Sequence, residues 1–164
     1  MDVAALFAEH HTALFRYLAR WTGDPDVAAD AAQEAFVKLL ERPPKPGETR
    51  AWLFRVGTNA ARESERTRGR RIRLLQEAPD RAPMGDAPIG PDAALAAGER
   101  QRVVQQALAR LPERDRTMLL MREEGFSHRE IAEAVGTTTG SVGTMIARAL
   151  DKLTAELRLD EEDI

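Results

Sequence analysis

The sequence contains no cysteine and no long apolar segment. Without Cys, the 164-residue chain can form no disulfide, no thiolate zinc site and no cysteine nucleophile, which fits a cytoplasmic protein. A membrane-spanning helix requires about 18 consecutive apolar residues, and no such run occurs. The first residues, MDVAALFAEHH, have neither the basic start nor the uninterrupted apolar stretch of a secretory signal. We therefore expect neither membrane insertion nor export.

Aromatic and β-branched residues are also scarce. The chain has one Tyr, two Trp and five Phe, whereas Ala, Leu, Arg and Glu dominate. The abundant residues favour helices, and sheets are usually rich in the scarce ones. Since 43% of the residues are hydrophobic and 31% are charged, the chain can bury a core and is not expected to be disordered. The predicted fold class is all-α.

The net charge of −3 hides a strong asymmetry along the chain. Residues 1–41 carry three basic and seven acidic groups, whereas residues 42–76 carry ten basic and three acidic groups. A basic block beside acidic flanks is typical of a protein that meets phosphate with one surface and a basic partner with another. A solvated basic helix would explain the block equally well.

A segment rich in Pro and Gly divides the chain. Residues 77–98 contain four of the nine prolines and three of the eleven glycines and show no apolar periodicity, which is typical of a flexible linker. We therefore predict one domain over residues 1–76 and a second over residues 99–158, each large enough to bury a modest helical core. Residues 159–164 form an acidic tail that we expect to fray.

Three helices are predicted in the first domain. An apolar stripe marks a helix over residues 2–21, and Asp24-Pro25 is typical of the start of a second helix. This second helix runs to Glu41, and Thr49 caps a third after a proline-rich break. The buried stripe of the second helix is predicted at Ala28, Ala31, Ala32, Ala35, Phe36, Leu39 and Leu40. The buried stripe of the third helix is predicted at Trp52, Leu53, Val56 and Ala60.

Two features of these helices could be mistaken for ligand sites. His10 and His11 are adjacent, so their side chains point about 100° apart on a helix, and neither has an acidic partner one turn away. We therefore expect a packed or solvated pair and predict no metal site. Trp52 lies one turn before Val56, which is more typical of a core residue than of a base-stacking platform.

The second domain is predicted to contain four short helices. Ser127 and Glu130 form a capping box at the start of the third of these helices. Ala132, Gly136 and Val142 then follow at the spacing of a helix-turn-helix, in which a glycine supplies the positive-φ turn. An ordinary αα-corner is the alternative. Buried residues are predicted at Val103, Val104, Ala107, Leu108, Leu111, Met118, Leu119, Leu120, Met121, Val142, Ile146, Ala149, Leu150 and Leu153.

Several short motifs together resemble one protein family. The motifs of the first domain are Asp26-x-Ala28-x-Asp30-x-x-Gln33-Glu34-x-Phe36, Ala51-Trp52-Leu53-Phe54-Arg55 and Asn59. The motifs of the second domain are Leu111-Pro112-Glu113-Arg114-x-Arg116 and Ser127-x-x-Glu130-Ile131-Ala132. In this order, and separated by a proline-rich linker, they are similar to bacterial extracytoplasmic-function (ECF) sigma factors. The resemblance covers about Leu6 to Leu157 and implies a helical region 2 bundle and a four-helix region 4 with a helix-turn-helix.

The resemblance implies a protein that binds core RNA polymerase and directs it to promoters in the cytoplasm, with no catalytic residue, metal or cofactor of its own. It implies that Asp30, Gln33 and Glu34 bind core polymerase, at a coiled coil of the β′ subunit, and that the β subunit is a further contact. The i, i+3, i+4 spacing of Asp30, Gln33 and Glu34 places these three side chains on one face of the second helix, opposite the Ala stripe. A solvated acidic face is the alternative.

The resemblance also implies two surfaces that bind promoter DNA. The surface for the minus-ten element consists of the loop over residues 42–48 and the third helix, and its binding residues are Arg42, Lys45, Trp52, Asn59, Arg62 and Arg66. The residues that bind the minus-thirty-five element are Arg129, Thr138, Thr139, Ser141, Thr144 and Arg148. The last helix departs from the family because Gly143, Met145 and Leu150 replace its usual basic residues, so we expect weak duplex binding by residues 99–164 alone. Supporting phosphate contacts are expected from Arg114, Arg116, Arg122 and Arg129.

Other functions are compatible with parts of the sequence. A stand-alone helix-turn-helix regulator would bind an operator as a dimer, but no heptad or spare apolar stripe supplies a dimer surface. An enzyme would need a nucleophile with its base or a glycine-rich phosphate loop, and neither is found. The resemblance implies an anti-sigma factor as a further partner. A separate hypothesis is that the tail over residues 159–164 masks the basic third helix, so that its deletion would raise DNA affinity.

Overall fold

The structure is a computed structural model that describes residues 1–75 and 91–162, with side chains over residues 1–68 and 96–159. Within these ranges it contains seven helices and no strand, which confirms the all-α prediction. The chain divides into two compact units, Met1–Arg81 and Ala82–Ile164. The helices of the first unit are α1 (Val3–Thr22), α2 (Pro25–Glu41) and α3 (Thr49–Leu75). Those of the second unit are α4 (Pro91–Arg110), α5 (Glu113–Glu123), α6 (His128–Val135) and α7 (Thr139–Glu162).

Two helices extend into segments that the sequence predicted as irregular. α4 begins at Pro91, so residues 91–98 of the predicted linker are helical, while residues 77–90 of that linker lie outside the described residues. α7 continues to Glu162, so residues 159–162 of the acidic tail, which is expected to fray, extend the last helix, while residues 163–164 lie outside the described residues. Both extensions are made mostly of Ala, Leu, Asp and Glu, and helix propensity can lengthen a helix where no apolar stripe marks it.

Side-chain caps set the starts of the first two helices. An Asp2 carboxylate oxygen accepts a hydrogen bond from the Ala5 amide at 3.2 Å at the start of α1. Gly23, with φ of 71°, ends α1 in the left-handed conformation that glycine adopts without strain. The Asp24 carboxylate then accepts from the amides of Asp26 and Val27 at 2.9 and 3.4 Å, as its position before Pro25 predicts.

The three helices of the first unit pack against one another around a common core. α1 contributes its largest buried side chains, and α2 contributes mainly alanines, which allow the other two helices to approach it closely. The buried hydrophobic residues of α1 and α2 are Leu14, Tyr17, Leu18, Ala19, Trp21, Ala28, Ala31, Ala32, Ala35, Phe36 and Leu39. Those of α3 are Leu53, Phe54, Ala60 and Ala61.

The buried faces of α2 and α3 differ from their predicted stripes. Leu40 was expected in the core but is 61% exposed. Trp52 and Val56 are half-buried, whereas Phe54, which the predicted stripe left out, is 1% exposed. The buried face of α3 is therefore turned toward Phe54, because α1 and α2 contact that side of the helix. Trp52 is partly accessible as a consequence.

One buried hydrogen bond joins α1 to α3. The Tyr17 hydroxyl and the Thr58 hydroxyl lie 2.8 Å apart, and Thr58 Oγ1 donates to the Phe54 carbonyl at 2.6 Å. Tyr17 therefore donates to Thr58. The Tyr17 and Phe54 rings also meet, with centroids 5.0 Å apart.

The histidine pair was expected to be either packed or solvated. His11 is packed, because its ring stacks on that of Phe7 with centroids 4.3 Å apart.

Gly57 marks the close approach of α3 to α1. A Cβ placed on Gly57 would lie 3.2 Å from Cδ1 of both Leu14 and Leu18, which is tighter than ordinary contact. We expect Gly57→Val to destabilise this unit by about 1–3 kcal/mol because it overpacks the core. The measurement is urea unfolding followed by tryptophan fluorescence, since both tryptophans, Trp21 and Trp52, lie in this unit.

The control for Gly57→Val is Ala29→Val at an exposed position of α2. It introduces the same β-branched side chain without contact with the core, so we expect a loss below about 1 kcal/mol from helix propensity alone. Equal losses for the two variants would contradict the assignment of Gly57 to a tight helix crossing.

In the second unit, α4, α5 and α6 each pack against α7, and α5 packs against α6. The predicted capping box is present: the Ser127 amide donates to Glu130 Oε1 at 3.0 Å, and the Glu130 amide donates to Ser127 Oγ at 3.1 Å. Gly136 forms the turn with φ of 74°, and Ala132 and Val142 are buried on either side of it. This is the geometry of the predicted helix-turn-helix.

Ion pairs add to the apolar contacts of α7. Arg110 Nε lies 2.7 Å from Glu156 Oε2 and joins the end of α4 to α7. Lys152 Nζ lies 2.8 Å from Asp115 Oδ2 and joins α5 to α7.

The core of the second unit differs from its prediction at two positions. Val104 and Leu150 were predicted to be buried but are 41% and 39% exposed. Within the described ranges, none of the helices is long and apolar enough to span a bilayer.

Candidate polymerase and DNA interfaces

The outer face of α2 is acidic. Asp30, Gln33 and Glu34 are all exposed, on the side of α2 opposite its buried alanines. Their i, i+3, i+4 spacing brings the two carboxylates and the amide together on one face, as predicted. Glu34 Oε1 lies 3.1 Å from Lys38 Nζ, an exposed i, i+4 pair that contributes little stability. The carboxylates are therefore accessible to a basic partner.

Apolar side chains accompany the acidic face. Val37, one turn beyond Gln33 and Glu34, is 46% exposed, and Leu40 is 61% exposed. The sequence interpretation missed both, since it left Val37 aside and placed Leu40 in the core. The apolar periodicity of α2 cannot separate an exposed leucine at the edge of the stripe from a buried one. The α2 face thus combines carboxylates with accessible apolar side chains.

A cleft of ≈ 440 Å³ lies beside the acidic face, between α2 and α3. Asp30 and Glu34 line it from α2, and Glu63 and Thr67 line it from α3. At one end, the Arg68 guanidinium pairs with the Asp24 carboxylate that caps α2. The sequence identified Asp24 as a cap but not as the partner of Arg68, because the two positions are far apart in the chain. This pair holds the arginine-rich part of α3 beside the start of α2.

The outer face of α3 is basic. At about 100° per residue, Arg55, Asn59, Arg62 and Arg66 lie within an arc of about 60° on this helix. The side opposite carries the buried residues Leu53, Phe54 and Ala61. Arg62 Nη1 donates to Asn59 Oδ1 at 3.1 Å, which fixes the amide of Asn59 beside a guanidinium. The predicted minus-ten residues of α3 therefore share one side.

The loop before α3 carries the remaining predicted minus-ten residues. Arg42 and Lys45 are exposed. The Arg42 amide donates to the Lys38 carbonyl at 2.8 Å and closes α2, and the Glu48 amide donates to the Lys45 carbonyl at 3.1 Å within the loop. Gly47, with φ of 87°, makes the turn that leads into α3. Both cations are thus presented by a short, hydrogen-bonded loop.

The start of α7 presents the hydroxyls predicted at the minus-thirty-five element. Thr138, Thr139 and Thr144 are exposed, and the Thr138 and Ser141 hydroxyls lie 2.7 Å apart. Arg148 is exposed two turns beyond Ser141 on the same face of α7. Arg129 belongs to α6 instead, where its Nε lies 3.7 Å from Glu133 Oε1.

An open groove of ≈ 760 Å³ runs between the start of α5 and α7. It brings cations from two helices, Arg114, Arg148 and Lys152, beside the hydroxyls of α7. Met145 also lines this groove. The sequence analysis considered Met145 only as a residue that replaces a basic residue usual in the family. The groove could be found only in three dimensions, because α5 and α7 are separated by α6 in the chain.

One predicted phosphate contact is placed where it cannot act. Arg116 is only 6% exposed and lies among the buried residues of α5. Arg114, Arg122 and Arg129 are exposed, as a phosphate contact requires. The LPERDR motif contains both Arg114 and Arg116, and helical spacing places these residues on different sides of α5.

Known sequence families match both structural units. Sigma-70 region 2 matches residues 6–71, and Sigma-70, region 4 matches residues 101–153. Region 2 precedes region 4 in the chain, and each match falls entirely within one of the two units.

Similar proteins agree with these matches. The chain is 32% identical over 155 residues to the ECF RNA polymerase sigma factor SigE of Mycolicibacterium smegmatis, covering 90% of this chain and 58% of SigE. It is 31% identical over 159 residues to the ECF RNA polymerase sigma factor SigL of Mycobacterium tuberculosis, covering 94% of this chain and 88% of SigL. Thus the chain spans somewhat more than half of SigE but most of SigL.

A solved structure has the same fold. The sigma factor RpoE of Bartonella quintana, crystallised with the anti-sigma factor NepR, superposes with a TM-score of 0.73 over 97% of this chain and 98% of that chain, at 22% identity. The chain belongs to the ECF RNA polymerase sigma factors. The predicted role in promoter-directed transcription initiation is thereby confirmed, and a stand-alone regulator is not favoured.

Proposed function

We propose that the protein acts in the cytoplasm as a promoter-specificity subunit of RNA polymerase and performs no chemistry of its own. The observation that carries this proposal is the division of surfaces within the first unit, where α2 presents carboxylates and α3 presents guanidinium groups. The exposed carboxylates of Asp30 and Glu34 lie on a different helix from these guanidinium groups, so they can meet a basic partner while α3 meets DNA. A polymerase subunit needs a surface of each kind.

The proposed core-binding site is the exposed face of α2. Asp30, Gln33 and Glu34 would meet a basic coiled coil of the β′ subunit through charge-assisted hydrogen bonds. Val37 and Leu40, exposed on the same helix, would supply the apolar contact that a stable protein interface usually has at its centre. The β subunit would provide further contact.

The proposed minus-ten site is the basic face of α3 with the loop over residues 42–48. Bases of one strand would leave the stack, at a cost of a few kcal/mol each, and would be held by the protein. Arg62 and Arg66 would neutralise the sugar-phosphate backbone, and Asn59, oriented by Arg62, would offer an amide to a base. Trp52 is half-buried and would present one edge of its ring to this strand.

The proposed minus-thirty-five site is the start of α7 in the major groove. Hydroxyl groups would contact base edges, and Arg148 with Arg114 would contact phosphates. Few cations lie on this surface, so its salt dependence should be shallow and its affinity in isolation weak. Within this arrangement residues 1–76 serve core and minus-ten binding, residues 99–158 serve minus-thirty-five binding, and the segment between them tethers the two.

We also propose an anti-sigma factor as a partner of the free protein. The Bartonella protein of similar fold was crystallised with such a factor. The α2 face combines exposed carboxylates with the exposed side chains of Val37 and Leu40, and a basic partner with apolar residues of its own would cover both. A partner of this class would compete with core polymerase for it.

The experiment that tests the function is run-off transcription with purified core polymerase and a library of genomic fragments. We expect transcripts with defined start sites only when the protein is present, and mapping of these starts would reveal the minus-ten and minus-thirty-five sequences. A stand-alone regulator would instead protect a palindromic site without polymerase. Absence of both core binding and selective transcripts would refute the proposal.

A further inference from the structure

Met145 lines the groove between α5 and α7. Arg114 Nη2 donates to its sulfur at 3.3 Å, and Thr137 Oγ1 donates at 3.5 Å. Met145 lies one turn beyond Ser141 and nearly one turn before Arg148, so it belongs to the face of α7 that carries the proposed DNA contacts.

Met145 is also reachable from solvent. Its side chain is half-buried at the wall of an open groove. Met118 and Met121, which lie in the core of the same unit, are 0% and 1% exposed. Accessibility controls the oxidation of methionine, so these three residues should differ in their reaction with peroxide.

We propose that Met145 is a modification site at which a peroxide forms methionine sulfoxide and thereby weakens duplex binding by the second unit. In the reaction, a lone pair on sulfur attacks one oxygen of hydrogen peroxide, an S–O bond forms and the O–O bond breaks. The oxygen bound to sulfur gives up its proton, and the other oxygen takes up a proton and leaves as water. Sulfur is thereby oxidised by two electrons and peroxide is reduced by two. Methionine sulfoxide reductases reverse the change. The inference rests on the proposed function, since it requires this groove to face DNA.

The expected loss of affinity follows from the hydrogen bond to Arg114. A thioether is a weak acceptor, so it leaves the guanidinium able to turn toward a phosphate. A sulfoxide oxygen is polar and would hold the donors Arg114 and Thr137 in the groove. Lys152, a neighbouring cation, is already paired with Asp115 at 2.8 Å. Because the sulfoxide is neutral, Arg114 keeps its charge but would be held away from a phosphate, so the groove would make one direct phosphate contact fewer.

The first test locates the modification. The full chain is treated with increasing hydrogen peroxide, digested with trypsin and analysed by mass spectrometry. Cleavage after arginine releases Met145 as the sole methionine of peptide 130–148, and Met118 with Met121 in peptide 117–122. We expect sulfoxide in peptide 130–148 at peroxide concentrations that leave peptide 117–122 unchanged. Equal or earlier oxidation of peptide 117–122 would overturn the proposal.

The second test measures binding of the full chain to a fluorescently labelled duplex of mixed sequence, before and after peroxide. We expect affinity to fall about threefold and the slope of log affinity against log salt to shrink by about 0.9, as for one lost phosphate contact. Treatment with a methionine sulfoxide reductase should restore both. A loss of affinity without change in the salt slope would overturn the role of Arg114.

Met145→Leu is the control because it keeps a side chain of similar volume that peroxide cannot oxidise. Each protein is compared with its own untreated sample, and we expect no loss for the variant, although Met1 and Met84 remain in it. An equal loss in this variant would refute the inference. Failure of the untreated wild type to direct run-off transcription would refute the proposed function instead, and the peptide and duplex measurements would still be interpretable.

Discussion

Reversal of both carboxylates on the outer face of α2, by Asp30→Arg with Glu34→Arg, is expected to lower the affinity for core polymerase on the order of 100-fold, or about 2.7 kcal/mol. Both side chains are exposed and one turn apart, so a basic partner can reach them together. After reversal, two guanidinium groups would face the basic side chains of that partner. Repulsion would then add to the lost hydrogen bonds.

The measurement for this pair is the binding of purified core polymerase to the labelled protein. The control is Glu99→Arg with Asp151→Arg, which changes the net charge equally at two exposed positions of the second unit. We expect this control to bind core polymerase within about threefold of the wild type, as for charges at the rim of an interface. Tryptophan fluorescence would show that the α2 variant is folded. Unchanged core binding by a folded α2 variant would contradict the assignment of this face.

Reversal of two cations on α3, by Arg62→Glu with Arg66→Glu, is expected to separate core binding from promoter opening. Core affinity should stay within about threefold of the wild type, because the acidic face of α2 is unchanged. Promoter opening should fall on the order of 100-fold, since two phosphate contacts are lost and two repulsive ones are created. Permanganate footprinting of unpaired thymines measures the opening directly.

A second template sharpens this test. On a promoter that is already unpaired at the minus-ten element, the cost of separating the strands is removed, and transcription by the α3 variant should partly recover. The matched control is Arg100→Glu with Arg102→Glu at exposed positions of α4, which should open the promoter normally. Equal defects in this control and in the α3 variant would mean that overall charge, rather than the basic face of α3, determines opening.

Local chemistry made much of this fold predictable. Asp24-Pro25, the Ser127 to Glu130 capping box and Gly136 each satisfy or terminate backbone hydrogen bonds within a few residues, so their effect can be seen in the sequence. The motifs of both domains identified the family because they occur together and in the right order. No single motif had to be specific by itself. The charge asymmetry likewise separated the basic third helix from the acidic segment before it.

The candidate site was predictable only in part. The acidic face of α2 and the basic face of α3 each follow from helical spacing on a single element. The orientation of Phe54 into the core, the burial of Arg116 and the exposure of Leu40 depend on which neighbouring helix covers each position. The apolar periodicity of a single helix is the same whether or not another helix covers the edge of its apolar stripe. It therefore could not predict whether these side chains are buried or exposed.

By itself, the sequence determined the class of the fold, the starts of α2 and α6 and the division of charge between α2 and α3, because these depend on residue type and on short-range spacing. Only the tertiary structure decided that Arg68 joins Asp24 and that Tyr17 donates to Thr58. It alone also placed the Arg114 guanidinium on the sulfur of Met145. Each of these contacts joins residues that are distant in the chain, and their approach depends on the packing of whole helices rather than on any local preference.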